Sequence, residues 1–316
     1  MNQYEISTTT GNAVEVNPFL SAAVIKRYAQ FLDCKPRTAD AYTRNLKPFL
    51  AFLSRHNIAR PTRADIIAYR EEMKSAGLSA NTVNAYIIAV RLFVRWLSQE
   101  GVIADVADHV KGTRIDRDHK RDFLTAEQVR HVLAGVDRST LAGKRDYALL
   151  VVAITGGLRT IELSRANIGD VRPVADFYAL YVQGKGRDDK NEYIRLSATA
   201  EAAIREYVDA RGTVAADDPI FASMSHNNGA GRLTTRAISG IIKHYLLQAG
   251  YDSERLTAHS LRHTAATLAL MAGTPLQEVQ QFLRHADIST TMIYNHSIER
   301  ARNGSSMAIS AAIFSA

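Results

Sequence analysis

A chain of 316 residues is long enough for about two domains, and 46% hydrophobic side chains exclude one that is disordered throughout. One cysteine, Cys34, excludes an internal disulfide and suits a reducing cytoplasm. The formal charge of +7 favours a polyanionic partner, with nucleic acid, a ribosome and a membrane surface all compatible.

Residues 1–17 are polar, carry the run Thr8-Thr9-Thr10, and lack a basic segment followed by an apolar one, so they read as a flexible N-terminus and not as a signal peptide. The longest apolar run, residues 147–158, is too short for a bilayer and is interrupted by Gly156-Gly157, which predicts a soluble protein.

Residues 18–100 are helical in pattern. Phe19, Leu20, Val24, Ile25 and Tyr28 mark a first helix, and Ala41, Tyr42, Leu46, Phe49, Leu50 and Leu53 mark a second. Ile66, Ile67 and Tyr69 follow Pro61-Thr62 as a third, and residues 83–97 form a fourth behind Ser79 and Asn81, stopping at Gly101. Four helices make a small bundle. Residues 101–122 then alternate Lys111, Arg114, Arg117, Lys120 and Arg121 with acids and small residues, which reads as a basic interdomain linker. It is either a soluble tether or a strap along a duplex backbone.

A second unit, 123–300, opens with Thr125 as an N-cap and continues through a buried helix at 145–154. In Thr155-Gly156-Gly157-Leu158-Arg159-Thr160-Ile161-Glu162-Leu163 the glycines permit a tight turn. Arg159 then either seats an anion at a helix start or bridges locally to Glu162. Residues 177–182 and 192–196 read as strands around Gly184-Lys185-Gly186-Arg187, which lacks the further glycine and the Ser/Thr of a nucleotide-binding phosphate loop. Residues 198–210 are an amphipathic helix and 217–232 a loop; 233–248 is helical again, with Arg236, Lys243 and His244 as phosphate-contact candidates.

His259 and Arg262 stand at i and i+3 on the next helix and so project together. A guanidinium fork matches a phosphate, an imidazole moves a proton near neutral pH, and a tyrosine hydroxyl attacks phosphorus. His259 and His263 at i and i+4 lack a third metal ligand at proper spacing, so a metal site is rejected. Residues 275–283 form another helix, and Asp287 or Ser289 caps a short one bearing Tyr294. The tail, 301–316, ends in the apolar run 307–314.

The order His259-Ser260-Leu261-Arg262-His263-Thr264, Leu283-Arg284-His285, then Thr290-Thr291-Met292-Ile293-Tyr294-Asn295-His296 resembles the C-terminal signature of the tyrosine recombinase, or phage integrase, family. The stretch 155–163 resembles its box around a first catalytic arginine, and 38–53 with 79–97 resemble the core-binding domain of Xer-type two-domain members. The resemblance implies a mainly α chain with a small β-sheet in its C-terminal domain. The N-terminal part would be a four-helix SAM-like core-binding bundle, the C-terminal part an α+β catalytic domain.

It further implies site-specific cleavage and rejoining of DNA through a 3′-phosphotyrosyl intermediate, without cofactor or metal. Tyr294 would be the nucleophile, Arg159 and Arg262 the phosphate clamp, His285 a hydrogen-bond donor, His259 the base and Lys185 the general acid. Lys47, Asn81, Thr82, Asn84, Arg91 and Arg95 become candidate DNA contacts beside Arg236 and Lys243. The partner would be double-stranded DNA with inverted half-sites, bound by a homo-tetramer on two duplexes or a hetero-tetramer with a paralogue. The tail would dock in cis or on a neighbouring protomer. A type IB topoisomerase and a catalytically idle DNA-binding regulator are the alternatives. One departure stands out: the family usually has glycine where this chain has Arg284, which must either adopt that glycine's positive φ or bend the turn differently.

Overall fold

The computed structural model describes residues 21–115, 122–184, 187, 189–225, 231–285, 287–288, 291–292 and 313. They fall into two compact units divided near residue 117.

The first unit holds α1 (Ala22–Phe31), α2 (Pro36–Arg55), α3 (Arg63–Ser75) and α4 (Ala80–Gln99). Local chemistry starts each helix: Ser21 and Ser79 accept from the amides of Val24 and Thr82, Pro36 opens α2, and Thr62 with Asp65 forms a capping box before α3. The apolar faces close on an aromatic core in which Tyr28 meets Phe93 edge-on at 5.1 Å between ring centres.

The boundary expected after residue 100 lies further on, because 101–115 is built into this unit. Ala107 and Val110 are buried in the helical core. Arg63 and Arg70 donate to the carbonyls of Asp108 and Lys111, and Asn84 exchanges two hydrogen bonds with the Thr113 backbone, at 2.7 and 2.9 Å. At Gly112 a Cβ would stand 2.2 Å from Asn84 Oδ1, so a side chain there would displace the amide that holds Thr113. Residues 116–121, with Arg117, Lys120 and Arg121, lie outside the described residues.

The second unit runs α5 (Ala126–Ala134), α6 (Leu141–Thr155), α7 (Thr160–Arg165), a 3-10 turn at Ile168–Asp170, β1 (Val171–Val174), β2 (Phe177–Val182) and β3 (Glu192–Arg195). It continues with α8 (Ala198–Arg211), α9 (Thr235–Gln248), α10 (Ala258–Met271) and α11 (Leu276–Leu283). As its unbroken apolar run predicts, α6 is buried on every side from Ala148 to Ile154. The strands form an antiparallel sheet in the order β1-β2-β3. The edge strand β1 escapes the sequence pattern because Arg172 and Pro173 break its alternation; an edge tolerates a proline that cannot donate. α10 packs on α6, α9 and α11, and Thr264 within it accepts the Leu124 amide at 3.0 Å, tying the start of the unit to its core.

Candidate active site

The turn between α6 and α7 brings the site together. Gly157 has φ +55°, and a Cβ there would stand 2.9 Å from the side chains of both Leu283 and Phe282, so glycine spares the turn backbone strain and a clash with α11. Arg159 follows as the residue capping α7. Its amide donates to Glu162 Oε2 at 2.8 Å and its guanidinium to Oε1 at 3.0 Å. The local bridge allowed by the sequence is therefore present, and Arg159 also lines an open cleft.

Arg262 is 1% exposed. From α10 it donates to the Gly157 carbonyl at 2.5 Å and to the Leu283 carbonyl, and it stands 4.0 Å from Glu162 Oε2. One guanidinium thus locks the α6–α7 turn, α10 and the end of α11 in fixed relation, with its plane set by two carbonyls.

Arg284 resolves the departure noted in the sequence by keeping the left-handed backbone, at φ +54° and ψ +45°. That conformation costs a non-glycine residue roughly 1–2 kcal/mol. The side chain gains the Phe282 carbonyl at 2.8 Å and Glu162 Oε2 at 3.0 Å. Glu162, 1% exposed, is then the common counter-ion of three guanidiniums. Burial pulls its carboxyl upward, but Arg284, the Arg159 amide, Arg262 and the Arg159 charge outweigh that and hold it below the usual carboxylate range.

His285 follows directly. Its amide donates to the Gln280 carbonyl, the Gln280 side chain returns a bond to the His285 carbonyl, and Nδ1 meets the buried Thr291 hydroxyl at 2.9 Å. Burial first, then the charges of Arg262, Arg159, Arg284 and His259, push the ring down from 6.5 to about 4. The ring is therefore neutral at physiological pH, and the charges that act on it put Arg159, His259, Arg262 and His285 in one electrostatic neighbourhood.

His259 is exposed in the first turn of α10, with its ring 5.1 Å from that of His263. It lines a cleft of about 770 Å³ together with Arg159, Thr160 and Lys243. Lys243 is held there by the Ser253 carbonyl at 2.9 Å, and exposed Arg236 lies two turns earlier on α9, on the same helix face. A second cleft, about 530 Å³, carries Arg284 and His285 beside Arg187 and Tyr193 of the β2–β3 connection and β3. Four of the six residues expected to be catalytic thus come together; Lys185 and Tyr294 lie outside the described residues. Among the described residues no three His, Cys, Asp or Glu side chains are grouped to hold a metal ion.

The DNA-contact candidates of the first unit separate by environment. Lys47 and Asn81 are exposed, Thr82 bonds the Ser79 hydroxyl at 2.8 Å, and Arg95 is exposed 3.9 Å from Asp105. Arg91 is partly buried, with Nε enclosed and unpaired. Asn84 is the exception, since its amide is engaged by the protein's own backbone at Thr113. Sequence reasoning missed the triple role of Glu162 and the supports from Gln280 and Thr291. The only local signal was the i,i+3 spacing of Arg159 and Glu162.

Residues 122–300 match the model of the phage integrase family, and residues 25–101 match that of the phage integrase N-terminal SAM-like domain. The chain is 30% identical over 271 residues to tyrosine recombinase XerD of Oceanobacillus iheyensis, covering 84% of this chain and 89% of the relative. It is 30% identical over 285 residues to tyrosine recombinase XerC of Roseiflexus castenholzii, covering 87% of each. In fold it is similar to the XerH recombinase bound to a palindromic difH substrate, with TM-score 0.73 and 19% identity over 92% of this chain and 84% of that one. A lambda integrase dimer bound to a COC′ core site gives TM-score 0.67 and 17% identity over 84% and 95% of the two chains.

Proposed function

Because this chain belongs to the phage integrase family of tyrosine recombinases, enzymes that cleave and rejoin DNA, we infer that its basic cluster holds the scissile phosphodiester and that Tyr294 is the nucleophile. The observation that carries this reading is the gathering of Arg159 and Arg262 around Glu162 beside a neutral His285.

The tyrosine oxygen attacks phosphorus, the 3′-phosphotyrosyl bond forms, and the bond to the 5′ oxygen breaks. Arg159 and Arg262 stabilise charge on the non-bridging oxygens, where it accumulates in the transition state. His285, being uncharged, contributes a hydrogen bond instead of a third charge. His259 takes the tyrosine proton, and Lys185 delivers a proton to the departing 5′ oxygen. A tyrosine whose unperturbed pKa is about 10 needs both the base and the cations at neutral pH. The covalent intermediate conserves the energy of the broken bond, so a second 5′-hydroxyl reverses the step without ATP. Exchange between two duplexes then calls for four protomers, as a homo-tetramer or with a paralogue, on inverted half-sites. The compartment that fits is the cytoplasm, where the DNA lies; among the described residues no helix is long and apolar enough to cross a membrane.

The test is covalent trapping on nicked duplexes with randomised sites, in EDTA, followed by denaturation and sequencing of the attached DNA. Wild-type protein is expected to enrich inverted half-sites, while Tyr294→Phe binds DNA and traps none. An adduct formed equally by the variant would remove Tyr294 as nucleophile. Specific binding without any wild-type adduct would point to an idle regulator.

A further inference from the structure

Arg284 is the charged residue of the site for which the cleavage chemistry has no evident use. It keeps a backbone suited to glycine and yet turns its guanidinium inward, to 6% exposure, against Glu162 and the Phe282 carbonyl. Glycine at this position would leave the Glu162 carboxylate facing Arg159 and Arg262 alone, two guanidiniums against one carboxylate. With Arg284 there are three against one. The difference matters because a phosphodiester carries one negative charge, and the transition state for its attack by a tyrosine oxyanion carries more.

We propose, resting on the assignment of this site to phosphodiester cleavage, that Arg284 is a positioning residue. It neutralises Glu162, so that the charges of Arg159 and Arg262 act in full on the transition state. Arg284 itself touches no reacting atom in this arrangement. It acts through the carboxylate that orients the other two.

The proposal separates charge from packing. The groups facing His285 are Arg262 and His259 from α10, Arg159 from the start of α7, and Arg284 beside it. Gln280 and Thr291 are bonded to it, and Arg187 and Glu192 share its cleft. Removing Arg284 takes away one of these cations, which lets the His285 ring titrate higher. Loss of burial would raise it too, so the lysine variant, which keeps the charge, separates the two causes.

The experiment uses full-length protein and a nicked duplex selected by adduct formation with the wild type. Single-turnover adduct formation at saturating DNA is compared for wild type, Arg284→Gly, Arg284→Met, Arg284→Lys, and Arg284→Gly combined with Glu162→Gln. The Gly and Met variants should react about tenfold more slowly at unchanged DNA affinity. Arg284→Lys should recover most of the rate. So should the double variant, in which deleting the carboxylate restores the balance of charge. Without DNA, the His285 ring pKa, followed by NMR, should rise in the Gly and Met variants and stay low in the Lys variant. A wild-type rate in Arg284→Gly overturns the proposal alone. A slow Arg284→Gly that neither Lys nor Glu162→Gln rescues also overturns it, leaving only packing. A wild-type protein that never forms an adduct overturns this proposal and the cleavage assignment together.

Discussion

His285 links the chemistry of the site to its stability. Burial and the surrounding cations lower its ring from 6.5 to about 4. Between those values the unfolded chain binds a proton that the folded one refuses. The unfolded state therefore gains on acidification, and stability falls as pH drops from about 6.5 to about 4. Urea titrations across that range should show the loss for wild type and a smaller one for His285→Gln. Equal pH slopes in the two proteins would contradict a depressed His285. At pH 6–7, well above its folded value, the ring is neutral, so a rate change there belongs to another group.

Among the elements, α2, α4, α5, α6 and α8 follow from their sequences because the determinants are local: a capping side chain, an apolar period, a breaker. The segment 101–115 was not legible for the opposite reason. Its anchors are side chains of α3 and α4 that reach carbonyls 29–45 residues away, and such contacts leave no periodicity in the segment itself. The same holds within the site. His259, Arg262 and His285 were legible as a motif, but the carboxylate that gathers Arg159, Arg262 and Arg284 was not, because Glu162 meets Arg284 across 122 residues of chain. The anchoring of 101–115 makes a prediction of its own. Asn84→Ala removes both bonds to Thr113, which should cost about 1–3 kcal/mol and expose 101–115 to early cleavage in limited proteolysis. A protease pattern and urea midpoint unchanged from wild type would mean that the segment is held by Ala107, Val110 and the Arg63 and Arg70 bonds without help from Asn84.

For the whole molecule, the formal charge of +7 becomes informative once each basic residue has an environment. A lysine or arginine that meets a phosphate releases counter-ions, and each such contact adds about 0.9 to the slope of log affinity against log salt. Lys47 on α2 and Arg236 on α9 are exposed, whereas Asn84 is uncharged and bonded within its own unit. Lys47→Ala and Arg236→Ala should therefore each weaken DNA binding and reduce the magnitude of the salt slope by about 1. Asn84→Ala, if it weakens binding by loosening 101–115, should leave that slope unchanged. Fluorescence anisotropy with one duplex over a series of salt concentrations distinguishes the two effects. A slope altered by Asn84→Ala would mean that 101–115 delivers its own cations, Lys111 and Arg114, to the backbone. The stretch would then be a strap along the duplex as well as part of the first unit, and the strap reading of its sequence would hold alongside its packing on the helices.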